Sequence, residues 1–337
     1  MLAVSNKVRE VTGVDPHALP DDVLKSTEPL VLKGLVAQWP MVRAARESSQ
    51  AASAYLRKFY KDATIGALLG APEIEGRFFY NHDLSGFNFR AVKLKLDVML
   101  DEMERHQHAA QPPSIYMGST TVDTALPGFR TDNDLGFGDR QPLVSIWIGN
   151  RTRIAAHHDL PDNIACVVAG RRRFTLFPPG QLENLYIGPL DFTPAGQAIS
   201  LVDFANPDLQ RFPKFAAAVA HGQVAELGAG DAIFIPSMWW HHIESLDDLN
   251  VLVNYWWRQS PAYMDSPINA LMLAIMSVRD LPKEQREAWQ NLFRHYVFEA
   301  DQTTAAHIPE KARRALSPMD AELVRDIRAR LLQRLNR

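Results

Sequence analysis

The sequence is poor in several features, and each absence excludes a class of protein. It holds one cysteine, Cys166, in 337 residues. No internal disulfide can form, and no Cys-x-x-Cys pair offers a zinc or redox site. A reducing, cytoplasmic compartment is the expectation. The opening segment MLAVSNKVREVTGVD lacks the apolar block of about 7–15 residues that marks a signal peptide. Long apolar runs are missing too. Ala270 to Met276 is the longest in the C-terminal third, far short of the roughly 20 residues that cross a bilayer. Excess charge is absent: 36 Lys and Arg stand against 39 Asp and Glu, a net of −3, so the bulk charge advertises neither nucleic acid nor an anionic membrane. There is no repeat period, no low-complexity tract, no GxxxxGK phosphate loop, no dinucleotide glycine fingerprint and no HExxH.

What is present is ordinary globular material. Apolar residues make up 46% and charged residues 22%, enough for a sizeable core. At roughly 150 residues per domain the length fits two domains, or one large β architecture with helical additions. The texture changes twice. Residues 1–110 read as mixed α/β, with a short buried strand at Leu30 to Leu32 leaving through Gly34, and helices over Ala51 to Lys61 and Leu94 to His106. Residues 111–260 are rich in short apolar runs broken by Gly, Pro, Asn and Asp. SIYMG (114–118), LVSIWIG (143–149), NIACVVAG (163–170), RRFTLFPP (172–179), QVAEL (223–227), DAIFIP (231–236) and LNVLVNYWW (249–257) predict the strands of a sandwich or barrel. VVAGRRRFTLF reads as a hairpin turning at Gly170. Residues 261–337 return to helix. Ser266-Pro267 and Ser317-Pro318 read as helix starts. In the last helix Val324, Ile327, Leu331 and Leu335 form an apolar stripe that must be buried, on this chain or on a second copy.

Four of the eleven histidines form two doublets, His157-His158 and His241-His242, both beside strand-like segments. On an extended chain the side chains at i and i+2 share a face. His157 and Asp159 therefore point together, with His158 opposed. One more histidine from a distant strand completes two imidazoles and a carboxylate, a facial set that leaves open positions and suits non-haem Fe(II) and O2. His242-Ile243-Glu244 is a second triplet of this kind. Spacing alone leaves two sets: His157 and Asp159 with His241, or His242 and Glu244 with a histidine of the first doublet. Paired, solvent-facing histidines of a β protein are the plain alternative to both. Cys166 sits in an apolar strand and reads as an inert buried thiol.

The flanks of the doublets go further. HHDLPDNIACVVAGRRRFTLFPP and GDAIFIPSMWWHHIESLDDLNVLVNYWW closely resemble the cupin-like JmjC family of Fe(II)/2-oxoglutarate oxygenases, in particular its asparaginyl-hydroxylase branch. PLVLKGLVAQWP, FFYNHDLSGFNF (78–89), SIYMGS and NLYIGPLDFTPAGQAISLVDFANPDLQRFP (184–213) resemble its bacterial members, so the likeness covers roughly 29–260. It implies a mainly β fold: a double-stranded β-helix (jelly-roll) core, N-terminal α/β elements packed on it, and C-terminal helices that resemble the family's dimerisation segment. It implies that His157, Asp159 and His241 are the metal and catalytic set, which favours His241 over His242. Arg172 falls where the family places a basic residue for the distal carboxylate of 2-oxoglutarate, with Arg171 and Arg173 as competitors. Asn163, Asn254 and Tyr116 match polar positions around co-substrate and iron, and Trp256 matches an aromatic wall.

Three departures bear on the carry-over. Ile154 replaces a hydroxyl residue three positions before the first ligand histidine, Arg172 replaces a lysine, and Gly118 replaces a longer amide side chain that helps hold a peptide. The implied chemistry is oxidative decarboxylation of 2-oxoglutarate to succinate and CO2, coupled with O2 to hydroxylation of a C–H bond in a protein side chain or a small molecule. The rivals are a metallo-cupin of other chemistry and a non-catalytic metal-binding regulatory protein of the same fold. No nucleic-acid or membrane partner is expected, and a homodimer through the C-terminal helices is.

Overall fold

The computed structural model describes residues 4–194 and 196–336. Residues 1–3, Ala195 and Arg337, which fall within the three segments above, lie outside the described residues. The chain divides into two compact units, Met1–Gln259 and Ser260–Arg337.

Among its described residues the first unit has fifteen strands: β1 (Asn6–Lys7), β2 (Arg9–Thr12), β3 (Leu30–Lys33), β4 (Thr64–Gly70), β5 (Arg77–Phe78), β6 (Phe89–Lys95), β7 (Ser114–Thr121), β8 (Leu143–Gly149), β9 (Arg153–His157), β10 (Asp162–Ala169), β11 (Arg172–Phe177), β12 (Gln223–Leu227), β13 (Ala232–Ile235), β14 (Trp240–Ser245) and β15 (Asn250–Trp257). The last eight are the jelly roll. β13-β10-β15-β8 pair antiparallel in one sheet, and β12-β11-β14-β9 pair antiparallel in the other. Their inner faces interdigitate through Ala165, Phe174, Leu176, Ile233, Ile235 and Leu252. Strands of the N-terminal third lengthen both sheets. β2-β3 add beside β13 and β7-β4-β6 beside β8, giving a nine-stranded sheet, while β1 and β5 flank the six-stranded one. Helices Pro40–Glu47, Ser49–Phe59 and Leu96–Arg105 bury Met41, Val42, Leu56, Met99 and Leu100 in the core on the outer face of the larger sheet.

Two expectations for the first unit need correction. VVAGRRRFTLF is not a hairpin. β10 pairs with β13 and β15 while β11 pairs with β12 and β14, so the turn at Gly170 crosses from one sheet to the other. Apart from β11 and β12, which pair with each other, consecutive strands from β8 to β15 alternate between the sheets, and alternating apolar residues alone do not reveal which neighbour a strand takes. The helix expected from Leu94 starts at Leu96. Phe89–Lys95 pairs along its whole length with β4, and helical spacing begins with Leu96, Met99, Leu100 and Met103.

The second unit holds helices Pro267–Ser277, Lys283–Phe293 and Ala321–Leu335. Ser266 occupies the first N-cap position without a side-chain cap, and Asp265 Oδ1 instead accepts from the Ser266 N–H and from Asn269. The second start lies later than Ser317-Pro318, because Asp320 Oδ1 accepts from the Leu323 N–H at 2.8 Å and caps the helix that begins at Ala321. Among the described residues no helix is long and apolar enough to cross a membrane.

Candidate metal centre and its cavity

His157 closes β9 and lies directly across the ladder from His241, the second residue of β14. One extra residue on β9, between Ile154 and His157, bulges the strand at this point. The bulge lets Ile154, Ala155 and His157 all border one cavity between the sheets. Asp159 follows in the loop after β9. The Met238 N–H donates to the Asp159 carbonyl at 2.9 Å, the Ser237 hydroxyl to the Leu160 carbonyl at 2.6 Å, and the Ser237 N–H to Asp162 Oδ1 at 2.9 Å. The loops leading from β9 and into β14 are thus tied together, and Met238 holds a left-handed φ of 68° in that brace.

The result is a compact donor set. One ligand atom each from His157, Asp159 and His241 lies within 4.8 Å of the others. The two imidazole centroids are 4.4 Å apart, and His241 Nε2 is 3.6 Å from Asp159 Oδ2. His157 Nδ1 sits 2.9 Å from the Ala155 carbonyl and His241 Nδ1 3.0 Å from the Trp239 carbonyl. A carbonyl only accepts, so both rings carry their proton on Nδ1 and offer Nε2 as a lone pair. Burial, then the neighbouring His241, lowers the His157 imidazole to about 4, keeping it neutral at neutral pH. Burial pushes the Asp159 carboxyl up, but the pull that His241, then His157 and His158, exert in their protonated forms outweighs that and brings it to about 2, so it stays a carboxylate beside them. Two Nε2 lone pairs and one carboxylate fit a divalent metal ion with open positions.

The competing set does not assemble. His158 turns to the edge of Trp240, 4.6 Å between centroids, and His242 is buried against Phe204 at 4.5 Å. Burial, then the nearby Arg153 and Arg77, drive the His242 imidazole down to about 3. Glu244 pairs instead with Arg173 at 3.5 Å.

The cavity is about 500 Å³ and mostly apolar, walled by Phe78, Phe174, Ile235, Ile243 and Leu252. Arg172, at the start of β11, reaches into it. Its side chain is 2% exposed, and its Nε and Nη2 are buried without a hydrogen-bond partner. Burial lowers this guanidinium to about 10, opposed by Tyr116. Its neighbours differ: Arg171 bonds Asp247 at 2.9 Å and Arg173 meets Glu226 at 3.4 Å, both on the outside. Of the three arginines, only Arg172 borders the cavity. Tyr116 lies beside it, its phenol raised to about 12 by burial, eased by Arg172 and pushed further by Asp159. Asn163, Asn254 and Trp256 border the same space, and Trp256 Nε1 is buried without a partner. Ile154 and Gly118, the departures noted above, face the cavity as well. Cys166 is fully buried in the helix-side core, where burial pushes its thiol far up.

The sequence reading missed Trp147. It borders the cavity and donates from Nε1 to Asn254 Oδ1 at 2.7 Å. The signal was available in LVSIWIG, where Ser145 and Trp147 alternate onto one face of β8. Gly66 and Leu68 of β4 also border the cavity, and nothing in their residue types marked them.

The family profile described as "Cupin-like domain" matches residues 16–263. The chain is 36% identical over 138 residues to the lysine-specific demethylase JMJ31 of Arabidopsis thaliana, covering 39% of this chain and 25% of that protein. It is 32% identical over 165 residues to the human HSPB1-associated protein 1, covering 47% and 33% respectively. These two matches span a quarter to a third of the relatives' length. A third, to the tRNA wybutosine-synthesizing protein 5 of Gallus gallus, is 26% identical over 307 residues and covers 83% of this chain and 91% of that protein.

Proposed function

The chain belongs to the cupin-like, JmjC-type domain family, and from that premise we propose that it is an Fe(II)- and 2-oxoglutarate-dependent oxygenase. The observation that carries this reading is Arg172, a buried guanidinium with Nε and Nη2 unpartnered in the same cavity as His157, Asp159 and His241. A charge without a partner is costly inside a protein, and a carboxylate with two parallel acceptors is its best complement. A ferrous ion held by His157, Asp159 and His241 would supply the coupling of 2-oxoglutarate decarboxylation, with O2, to hydroxylation of a C–H bond.

The chain's own residues bind and orient. Arg172, with the Tyr116 hydroxyl beside it, takes the distal carboxylate of 2-oxoglutarate. Asn163 and Asn254 line the same cavity with their amides, and Trp256 forms one wall. Phe174, Ile235 and Leu252 keep water from the reacting end. Ile154 offers no hydroxyl to the co-substrate, which leaves Arg172 and Tyr116 to hold that carboxylate. The substrate is a protein side chain or a small molecule, and the expected compartment is the reducing cytoplasm. The test is turnover: with Fe(II), ascorbate and O2 the protein converts 2-oxoglutarate to succinate, slowly without prime substrate. Stoichiometric iron without 2-oxoglutarate binding or succinate sinks the reading.

A homodimer through the unit Ser260–Arg337 is the second part of the proposal. Among that unit's described residues only Ala305 is buried, while Ile268, Leu271, Met276, Trp289 and Phe298 are exposed. Helix Pro267–Ser277 is apolar on nearly every side, a pattern that belongs in an interior. A helical unit without its own core needs one from a partner, and a second copy is the partner always present in equal amount.

A further inference from the structure

Three polar side chains cross the cavity face of β8, β15 and β10 as a chain. The Trp147 Nε1–H donates to Asn254 Oδ1 at 2.7 Å, and Asn254 Nδ2 donates to Asn163 Oδ1 at 3.2 Å. Asn254 lies opposite Ser145 and Ala165, so Trp147 and Asn163 are its diagonal neighbours on that face. Asn254 is 1% and Asn163 6% exposed, so water does not compete freely for these bonds.

The direction of the chain is forced. An indole N–H can only donate, so Asn254 must turn its oxygen to Trp147. Its NH2 then faces Asn163, which must answer with its own oxygen. What Asn163 has left is its NH2, which makes no hydrogen bond among the described residues and borders the cavity of the metal set and Arg172. Without Trp147 both amides are free to flip, and an acceptor oxygen can face the cavity instead.

We infer that Trp147 is a positioning residue: through Asn254 it fixes the Asn163 amide with its NH2 toward the cavity, as a donor to a carboxylate oxygen of the co-substrate. This rests on the 2-oxoglutarate reading above. The Trp147 ring is held independently, perpendicular to Trp256 at 5.7 Å and tilted against Tyr116 at 6.2 Å. Trp147→Phe therefore keeps an aromatic ring and deletes the N–H.

The experiment is calorimetric titration of 2-oxoglutarate into the manganese-loaded protein. Trp147→Phe should raise the Kd for 2-oxoglutarate about five- to tenfold, the scale of one misoriented hydrogen bond, with manganese stoichiometry unchanged. Asn254→Ala cuts the chain in the middle and should weaken binding too, which keeps the test open if Trp147→Phe does not fold. Added to Asn254→Ala, Trp147→Phe should have no further effect. A Trp147→Phe protein with wild-type Kd, or an equal penalty in both backgrounds, overturns the positioning role alone. A wild-type protein that binds manganese but not 2-oxoglutarate overturns the oxygenase reading and the inference with it.

Discussion

His157 and His241 face one another across the β9–β14 ladder, ring centres 4.4 Å apart, and each gives its Nδ1–H to the carbonyl two residues before it. Tautomer and ring direction are set by the backbone before any metal arrives. His157→Ala should abolish stoichiometric Fe(II) binding and succinate formation together. Glu244→Gln removes one of the two carboxylate partners of Arg173, Glu226 being the other, and should leave both within about twofold, since the charge it loses is solvent-screened. Metal analysis and succinate assay check the pair. Loss of iron in Glu244→Gln would count for the competing ligand set.

Arg172 is a site where binding is set against stability. Its burial depresses the guanidinium to about 10 from the ordinary 12.5, which corresponds to about 3 kcal/mol of cost for keeping the charge inside. Arg172→Met retains volume and removes that charge. It should stabilise the ligand-free protein by on the order of 1–3 kcal/mol and cut 2-oxoglutarate affinity by at least about 100-fold. Thermal melts with and without 2-oxoglutarate read both effects: the variant should melt higher alone and stop responding to the co-substrate. A variant that melts lower alone and still responds would show that Arg172 is a structural residue.

Six of the eight jelly-roll strands were legible in the sequence; β9 and β14, which carry His157 and His241, were not, and the donor set was named by the resemblance. LVSIWIG and QVAEL mark β8 and β12 to the residue, because alternating and buried apolar runs end at Gly, Asn or Pro. The set of His157, Asp159 and His241 was not decided by spacing, which fitted His242 and Glu244 as well. The bulge on β9 and the facing of β14 bring His157, Asp159 and His241 together and leave His242 and Glu244 apart from them. Arg171, Arg172 and Arg173 look alike as letters; Arg171 falls in the exposed turn before β11, and only the facing of β11 separates the buried Arg172 from the half-buried Arg173. Pairing partners were the least legible feature, as the hairpin reading at Gly170 shows, because they depend on contacts far apart in the chain.

Gly170 makes a prediction of its own. Its φ is +71°, and a Cβ there would lie 2.5 Å from the Leu249 carbonyl oxygen and from Asn250 Oδ1. Both the conformation and the space exclude a side chain where the chain crosses between sheets. Gly170→Ala should destabilise the first unit by about 2 kcal/mol or more, seen as a lower urea midpoint with an unchanged slope. An unchanged midpoint would mean that this crossover tolerates another path.

The last helix, Ala321–Leu335, exposes Leu331, Leu332 and Leu335 at 40%, 54% and 51%. Val324 and Ile327 continue the same stripe, with Arg325, Arg328, Arg330 and Arg334 elsewhere on the helix. Exposed apolar side chains are common singly, but a stripe this long, in the same unit as a helix as apolar as Pro267–Ser277, is what the proposed dimer would cover. Light scattering should give twice the chain mass. Leu331→Glu with Leu335→Glu places two charges in the proposed contact and should shift the protein toward monomer, raising the dimer Kd by at least about 100-fold because an unpaired charge would be buried on each side. The unit Ser260–Arg337 should then lose helical signal, since a group of helices without a core depends on its partner for one. A wild-type monomer, or a dimer indifferent to both charges, removes the second copy from the proposal and leaves the metal centre as it stands, because every residue placed there lies within Met1–Gln259.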